Sequence, residues 1–403
     1  MLAEVRQFRD PAEAQTQLAG LLKLANENRN FSSPILDWLQ SGSINTPALV
    51  FDARLIEQRM QWLHELTRHL SITPLVAAKS CPAPEYLALG LKHLHGFDVS
   101  NPAEYAGLPE RLDGKLVSVT APDLRFDLGG FSARGNKTVV VLDSLTQLEH
   151  YFSQNPPFPY LLRIQGPDLM GHQSPPDPAY FPATRFGFSC KEVRQLFQLK
   201  RMRDNPPAGF HVHHGSERNQ ASTYKNIIGG LSELSRQLSL QPTCINIGGG
   251  WHSLPTDDIG DVLQSARSAF PQPCNILTEP GRWYAENAGF AVCTIVNQSS
   301  AGNVVKYTVD LSGRCHLHWS NVKLVHEIES GSNRACEAQF FGPSCFEGDR
   351  VGKFLLPYRN EFFNESGLVT GARVIFSGVS TYSLAWNTSF NGIPRADAIW
   401  WSP

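Results

Sequence analysis

Paired cysteines are missing from this 403-residue chain. The eight present, at positions 81, 190, 244, 274, 293, 315, 336 and 345, form no CxxC and share no short spacing, which excludes a zinc knuckle and a disulfide framework. An excess of one charge is also missing. With a formal net charge of -2 and 18% charged residues, there is no bulk attraction to a polyanion, and no nucleic-acid partner is expected. No apolar run approaches membrane-spanning length, so no membrane partner is expected either. The opening MLAEVRQFRDPAEAQTQLAG lacks a basic end followed by an apolar core, and the expected location is cytoplasmic. There is no internal repeat and no low-complexity tract. What is present in quantity is core material: hydrophobic residues make up 41%, enough for two domains or a large barrel with a smaller partner.

From about Pro74 to Glu279, short apolar runs alternate with longer helical segments. The runs are PLVAA (74–78), HGFDV (95–99), KLVSV (115–119), TVVVL (138–142), YLLRI (160–164), GFHVH (209–213), CINIG (244–248) and NILTE (275–279). Between them PEYLALGLKHL, PAEYAGL, SLTQLEHYF, KEVRQLFQL and TYKNIIGGLSELSRQL read as helices. Parallel strands covered on both faces appear as continuous Val/Ile/Leu runs, and eight such β/α units predict an α/β fold with a (β/α)8 TIM-like barrel. ALVF (48–51) reads as one more strand before it, followed by a helix with Ile56, Met60, Leu63 and Leu66 on one face. The Pro- and Gly-rich segment 166–183 reads as a long loop over the barrel mouth. After Gly289, FAVCTIV, VVKYTVDL, DRVGKFLL and ARVIFSG are β-like with no long helix between them. The expected organisation is therefore an N-terminal segment, 1–47, packing with a C-terminal β domain, 290–403, around a barrel, 48–289.

Barrel enzymes carry their chemistry at the carboxyl ends of the strands. Those ends hold Lys79, Asp98, Arg163, His213, the triplet Gly248, Gly249 and Gly250, and Glu279. Taken singly, each has a plain structural use: a solvated lysine, a paired arginine, a tight turn. Taken together they supply an amine nucleophile for a carbonyl, a backbone that can approach a phosphate, a carboxylate and an imidazole, which is the set that pyridoxal 5'-phosphate requires. The stretch GFHVHHGSE puts three histidines within four positions and raises a metal site as the competing reading. A barrel metallohydrolase usually carries its His-x-His on the first strand, where this chain has its lysine, so no metal is expected.

The ordered set PLVAAKS, FDVSNPAE, HHGSE, NIGGGW, EPGRW, GPSCFEGD and YSLAWNTSFNG resembles the fold-type III pyridoxal-phosphate decarboxylases, the family of eukaryotic-type ornithine, diaminopimelate and carboxynorspermidine decarboxylases. The resemblance runs from about Thr46 to Arg395. It implies that Lys79 bonds the cofactor's aldehyde carbon, that His213 covers its ring, and that Asp98 and Arg163 lie beside it. Ser216, Gly248 to Gly250, Arg282 and Tyr382 would hold its phosphate. Glu279 would keep its pyridine nitrogen protonated. His211 would lie one layer below His213, and His214 would point the other way.

The resemblance also implies a homodimer with shared sites, in which Cys345 reaches the partner's site and helps return a proton. Asp349 matches the family pattern, but the residue after the cysteine, acidic in diamino-acid decarboxylases, is Phe346 here. Asp310 is left as the one acidic group for a distal ammonium. Arg314, His316 and His318 follow it, and alternation predicts that they share one face of a strand, with Arg314 and His316 beside Phe346 and Cys345 in the substrate pocket. The expected substrate is a small amino acid or amino-acid conjugate with acidic distal groups, such as a citryl conjugate of diaminopropionate or serine, as handled by relatives in carboxylate siderophore biosynthesis. A diamino-acid or carboxy-polyamine decarboxylase, an amino-acid racemase and a catalytically silent regulator remain as alternatives. Glu279 argues against the racemase, and retention of Lys79, Glu279, Arg282 and Cys345 argues against the regulator.

Overall fold

The computed structural model describes residues 2–10, 12, 13, 16, 17, 20, 33–41, 44–170, 184–215, 220–301, 304–327, 334–358 and 368–402. It divides into two compact units, one of residues 57–284 and one of residues 1–56 with 285–403.

Strands β1 (Leu2–Val5) and β2 (Ala48–Asp52) precede the barrel strands: β3 (Ile72–Ala77), β4 (Gly96–Val99), β5 (Leu116–Thr120), β6 (Lys137–Leu142), β7 (Tyr160–Arg163), β8 (Gly209–His211), β9 (Cys244–Asn246) and β10 (Asn275–Thr278). Strands β3 to β10 pair in parallel in sequence order, and β10 closes on β3. All eight predicted barrel strands are therefore present. Leu75, Val139, Val141, Leu161 and Leu277 pack together as a buried cluster, which is why these runs are apolar at nearly every position.

The intervening helices start where their caps dictate. Asn101 accepts from the Glu104 N–H at 2.9 Å ahead of helix Pro102–Gly107, and Ser189 and Glu192 form a reciprocal capping box on Cys190–Leu196. A helix absent from the sequence reading, Thr256–Ala269, precedes β10; Ile259, Val262, Leu263 and Ala266 form its buried stripe. The segment expected as a loop over 166–183 opens instead with a helical turn, Gly166–Leu169, and its residues 171–183 lie outside the described ones.

The other unit is mostly β: β11 (Gly289–Ala301), β12 (Val304–Val309), β13 (Lys323–Glu327), β14 (Arg334–Phe341), β15 (Arg350–Tyr358), β16 (Arg373–Ser377) and β17 (Asp397–Trp401). The sheet order is β1-β13-β16-β11-β12-β14-β15. Here the sequence expectation needs two corrections. The first concerns β2, which the sequence reading grouped with the barrel. It pairs antiparallel with β11 and parallel with β17, so residues 48–56 belong to the β unit. All five of its residues are buried, so it reads like a barrel strand although it sits in another sheet.

The second concerns the stretch after Asp310. It is a series of turns and not a strand, so alternation does not hold. The Asp349 carboxylate causes this: its Oδ1 accepts from the Ser312 hydroxyl at 2.8 Å and from the Arg314 N–H at 3.3 Å, curling the chain where β12 ends.

Candidate active site

Lys79 lies in a single 3-10 turn, Ala78–Ser80, directly after β3. Its Nζ is 3.1 Å from Oδ2 of Asp98, which sits fully buried in the neighbouring strand β4. Burial, and then the negative charge of Glu279, pushes the Asp98 carboxyl up to about 6 against the opposing pull of Lys79.

Glu279 follows β10 and is also buried. Its Oε1 accepts from the Ser118 hydroxyl at 3.1 Å and from the Asn246 side-chain amide. Oε2 is 3.6 Å from Nε2 of His211. That separation is within ion-pair range, but His211 is held well below the ordinary histidine range by burial, then by Arg163, so the contact is between a carboxylate and a neutral ring. Ser118 and Asn246 were missed in the sequence. Their signal was a single polar residue inside each of the apolar runs KLVSV and CINIG.

His213 is half-buried at the mouth. Its Nδ1 accepts from the Gly249 N–H at 3.3 Å, which leaves Nε2 as the protonated nitrogen of the neutral ring. Burial, Lys79 and Arg163 in that order keep it neutral. His214 is half-buried and is, with His213, among the residues that line one pocket. Ser216 lies outside the described residues.

The glycine triplet is required by its backbone. Gly248 and Gly250 have φ of +66° and +88°, and a Cβ on Gly250 would collide with the Gly215 carbonyl. Such a turn offers N–H groups without side-chain bulk, the arrangement a phosphate needs. Arg282 opens the 3-10 turn Arg282–Ala285 just after β10. Lysine, carboxylates, imidazole and glycine turn thus share one end of one barrel, and together they fit a cofactor with an aldehyde, a ring nitrogen and a phosphate. Among the described residues, no group of three or more His, Cys, Asp and Glu side chains is arranged to hold a metal ion.

The β unit carries the remaining expected residues. Cys345 is exposed in the loop between β14 and β15, and Phe346 beside it is 52% exposed. Buried Asp349 anchors this loop by accepting from the Ser344 hydroxyl at 2.7 Å. Asp310 is engaged at both oxygens, Oδ2 with the Thr46 hydroxyl at 2.6 Å and Oδ1 with the Thr294 N–H at 2.8 Å.

His316 is fully buried. Its Nδ1 accepts from the Ser312 N–H at 3.0 Å and its Nε2 lies 3.0 Å from the Pro394 carbonyl, so it is a fastener of the turn and does not face a pocket. Arg314 is exposed, with Nε donating to the Gly348 carbonyl at 3.0 Å and its guanidinium 5.8 Å from the centre of the Phe346 ring. Tyr382 stacks on Trp319 at 5.5 Å, and His318 packs on Trp386 at 4.4 Å.

Residues 53–286 match the family model described as "Pyridoxal-dependent decarboxylase, pyridoxal binding domain". A Dictyostelium discoideum protein named "Probable ornithine decarboxylase" is 20% identical over 370 residues, 84% of this chain and 75% of its own length. Among solved structures, the Paramecium bursaria Chlorella virus arginine decarboxylase superposes with a TM-score of 0.74 at 19% identity, covering 92% of this chain and all of its own. Carboxynorspermidine decarboxylase from Campylobacter jejuni gives 0.70 at 18% identity over 88% of this chain and 94% of its own.

Proposed function

Because this chain belongs to the family of pyridoxal-dependent decarboxylases, carboxy-lyases that use pyridoxal phosphate, we propose that it removes CO2 from an amino acid or amino-acid conjugate with acidic groups at its distal end. A citryl conjugate of diaminopropionate or serine is a substrate of that kind. When bound, the cofactor supplies an electron sink for the electron pair left by the departing carboxylate. Lys79 supplies the amine that holds the aldehyde carbon, and Asp98 keeps that amine oriented. Glu279 holds the proton of the ring nitrogen through Oε2, since Ser118 and Asn246 already occupy Oε1. His213, neutral and fixed through Nδ1, covers the ring. The Gly248–Gly250 turn, Arg282 and Ser216 would receive the phosphate.

The substrate reading is carried by one observation: a distal ammonium finds no free carboxylate among the expected residues. Phe346 occupies one position, and Asp310 is committed at both oxygens to Thr46 and Thr294. We also propose a homodimer in which exposed Cys345 serves the partner's site. CO2 release from citryl conjugates, with little from ornithine or lysine, is the expected result of a substrate screen, and efficient turnover of the diamino acids would refute the reading. Mixing Lys79→Ala and Cys345→Ala chains should restore roughly a quarter of full activity by random exchange in a two-fold dimer.

A further inference from the structure

Gly187 has a φ of +83°, and a Cβ there would lie 2.9 Å from the Arg163 carbonyl oxygen, so only glycine lets the segment after Thr184 run this close to β7. Backbone bonds lock the approach: the Phe188 N–H donates to the Arg163 carbonyl at 2.8 Å, and the Gln165 N–H donates to the Phe188 carbonyl at 3.0 Å. Phe186 is thereby pinned beside the end of β7. The guanidiniums of Arg163 and Arg185 both pack on its ring, at 4.5 and 4.0 Å from the centroid.

These residues and His213 line a pocket of about 350 Å3. Among the described residues, neither guanidinium has a carboxylate within ion-pair distance. Asp143 feels both cations, but it stays beyond that distance and burial is the largest influence on it. Arg163 is itself desolvated enough that burial is the largest influence on its charge. Among the described residues no carboxylate receives either fork, so half-buried Arg163 and exposed Arg185 form a cationic pair open to an anion.

We propose that Arg163 and Arg185 form an anion subsite that receives a distal carboxylate of the substrate. This rests on the decarboxylase reading and narrows it, because the subsite adjoins His213 at the barrel mouth. A carboxylate matches the planar fork of guanidinium.

The test uses holoenzyme and tricarballylate, a tricarboxylic acid without an amine, measured by calorimetry. Arg185→Gln should weaken its binding roughly tenfold to a hundredfold, the value of charge-assisted hydrogen bonds, with the cofactor's absorbance unchanged. If that variant does not fold, Arg185→Lys carries the same test with an expected loss of about threefold to tenfold, since it keeps the charge and loses the fork. Equal binding by the variant and the unaltered enzyme would overturn the subsite. So would no binding by the unaltered enzyme, or tighter Arg185-dependent binding of inorganic phosphate than of tricarballylate. A holoenzyme that is colourless, or that releases no CO2 from any α-amino acid, counts against the decarboxylase reading instead. A coloured, active enzyme indifferent to Arg185→Gln counts against the subsite alone.

Discussion

Lys79 and Asp98 form an ion pair of 3.1 Å in which the lysine side chain is 43% exposed and the aspartate is fully buried. The pair is asymmetric: the amine can be reached from the barrel mouth, and the carboxylate that orients it cannot. Lys79→Ala should therefore abolish the yellow colour of bound cofactor and nearly all turnover, while the far-ultraviolet dichroism stays as it was. Turnover at the original rate by the alanine variant would exclude Lys79 as the cofactor's amine.

The buried partner makes a prediction about pH. Asp98 is pushed up to about 6, above the ordinary value of 3.8, so the folded state holds this proton more tightly than the unfolded chain. Between about pH 4 and 6 the native state then binds more protons at this site, and stability falls as pH rises through that window. Asn does not titrate. The stability of cofactor-free Asp98→Asn relative to the original protein should rise across the window and level off above it. Two pH units set an upper limit of about 3 kcal/mol on the change. His213, on which Asp98 does not act, cancels in the difference; Asp98 pulls His211 upward, so its loss holds that buried ring still further below the ordinary histidine range. A difference that stays flat from pH 4 to 7 in denaturant titrations would show that the aspartate is ionised throughout.

The pattern of what the sequence disclosed follows from which interactions are local. Runs such as TVVVL reveal barrel strands because both faces are buried, and the strand ends then point to Lys79 and Glu279 without further information. The same signal misassigns β2, since a run of buried residues does not say which sheet it joins; its partners, Phe290 and Ile399, are far away in sequence. The turn after Asp310 was invisible for a similar reason. It depends on Asp349, 37 residues on from Ser312, and a sequence pattern carries no trace of that bond. Arg185 escaped notice because it sits within a loop, and its place beside Arg163 is set by a Gly187 whose backbone requirement appears only in three dimensions.

Gly250→Ala probes the phosphate turn. The substitution puts a Cβ against the Gly215 carbonyl at a residue with φ of +88°, which combines a steric clash with an unfavourable backbone. Together these should cost about 1–3 kcal/mol of stability or more. The loss should also appear as weaker cofactor affinity, because the turn must open to relieve the clash. Equilibrium dialysis of pyridoxal phosphate and a melting curve would read both effects. An unchanged affinity would mean that this turn does not hold the phosphate.

Glu279→Gln tests the charge beneath the ring. In the native arrangement Oε1 takes two donors, Ser118 and Asn246, and Oε2 faces the neutral His211 at 3.6 Å. Glutamine keeps the volume and one acceptor oxygen. If that oxygen stays with Ser118 and Asn246, the amide N–H2 takes the place of Oε2 and presents a donor where the ring nitrogen's proton needs an acceptor. If the amide flips, its N–H2 is set against the donor of Asn246. Either orientation removes the negative charge that stabilises a protonated ring. The loss falls on the transition state, so kcat should drop by roughly a hundredfold or more while KM changes little. Cofactor should still bind, because the phosphate turn and Lys79 are untouched, and its absorbance should titrate at lower pH than in the original enzyme. A rise in KM at constant kcat would instead make Glu279 a substrate-binding residue.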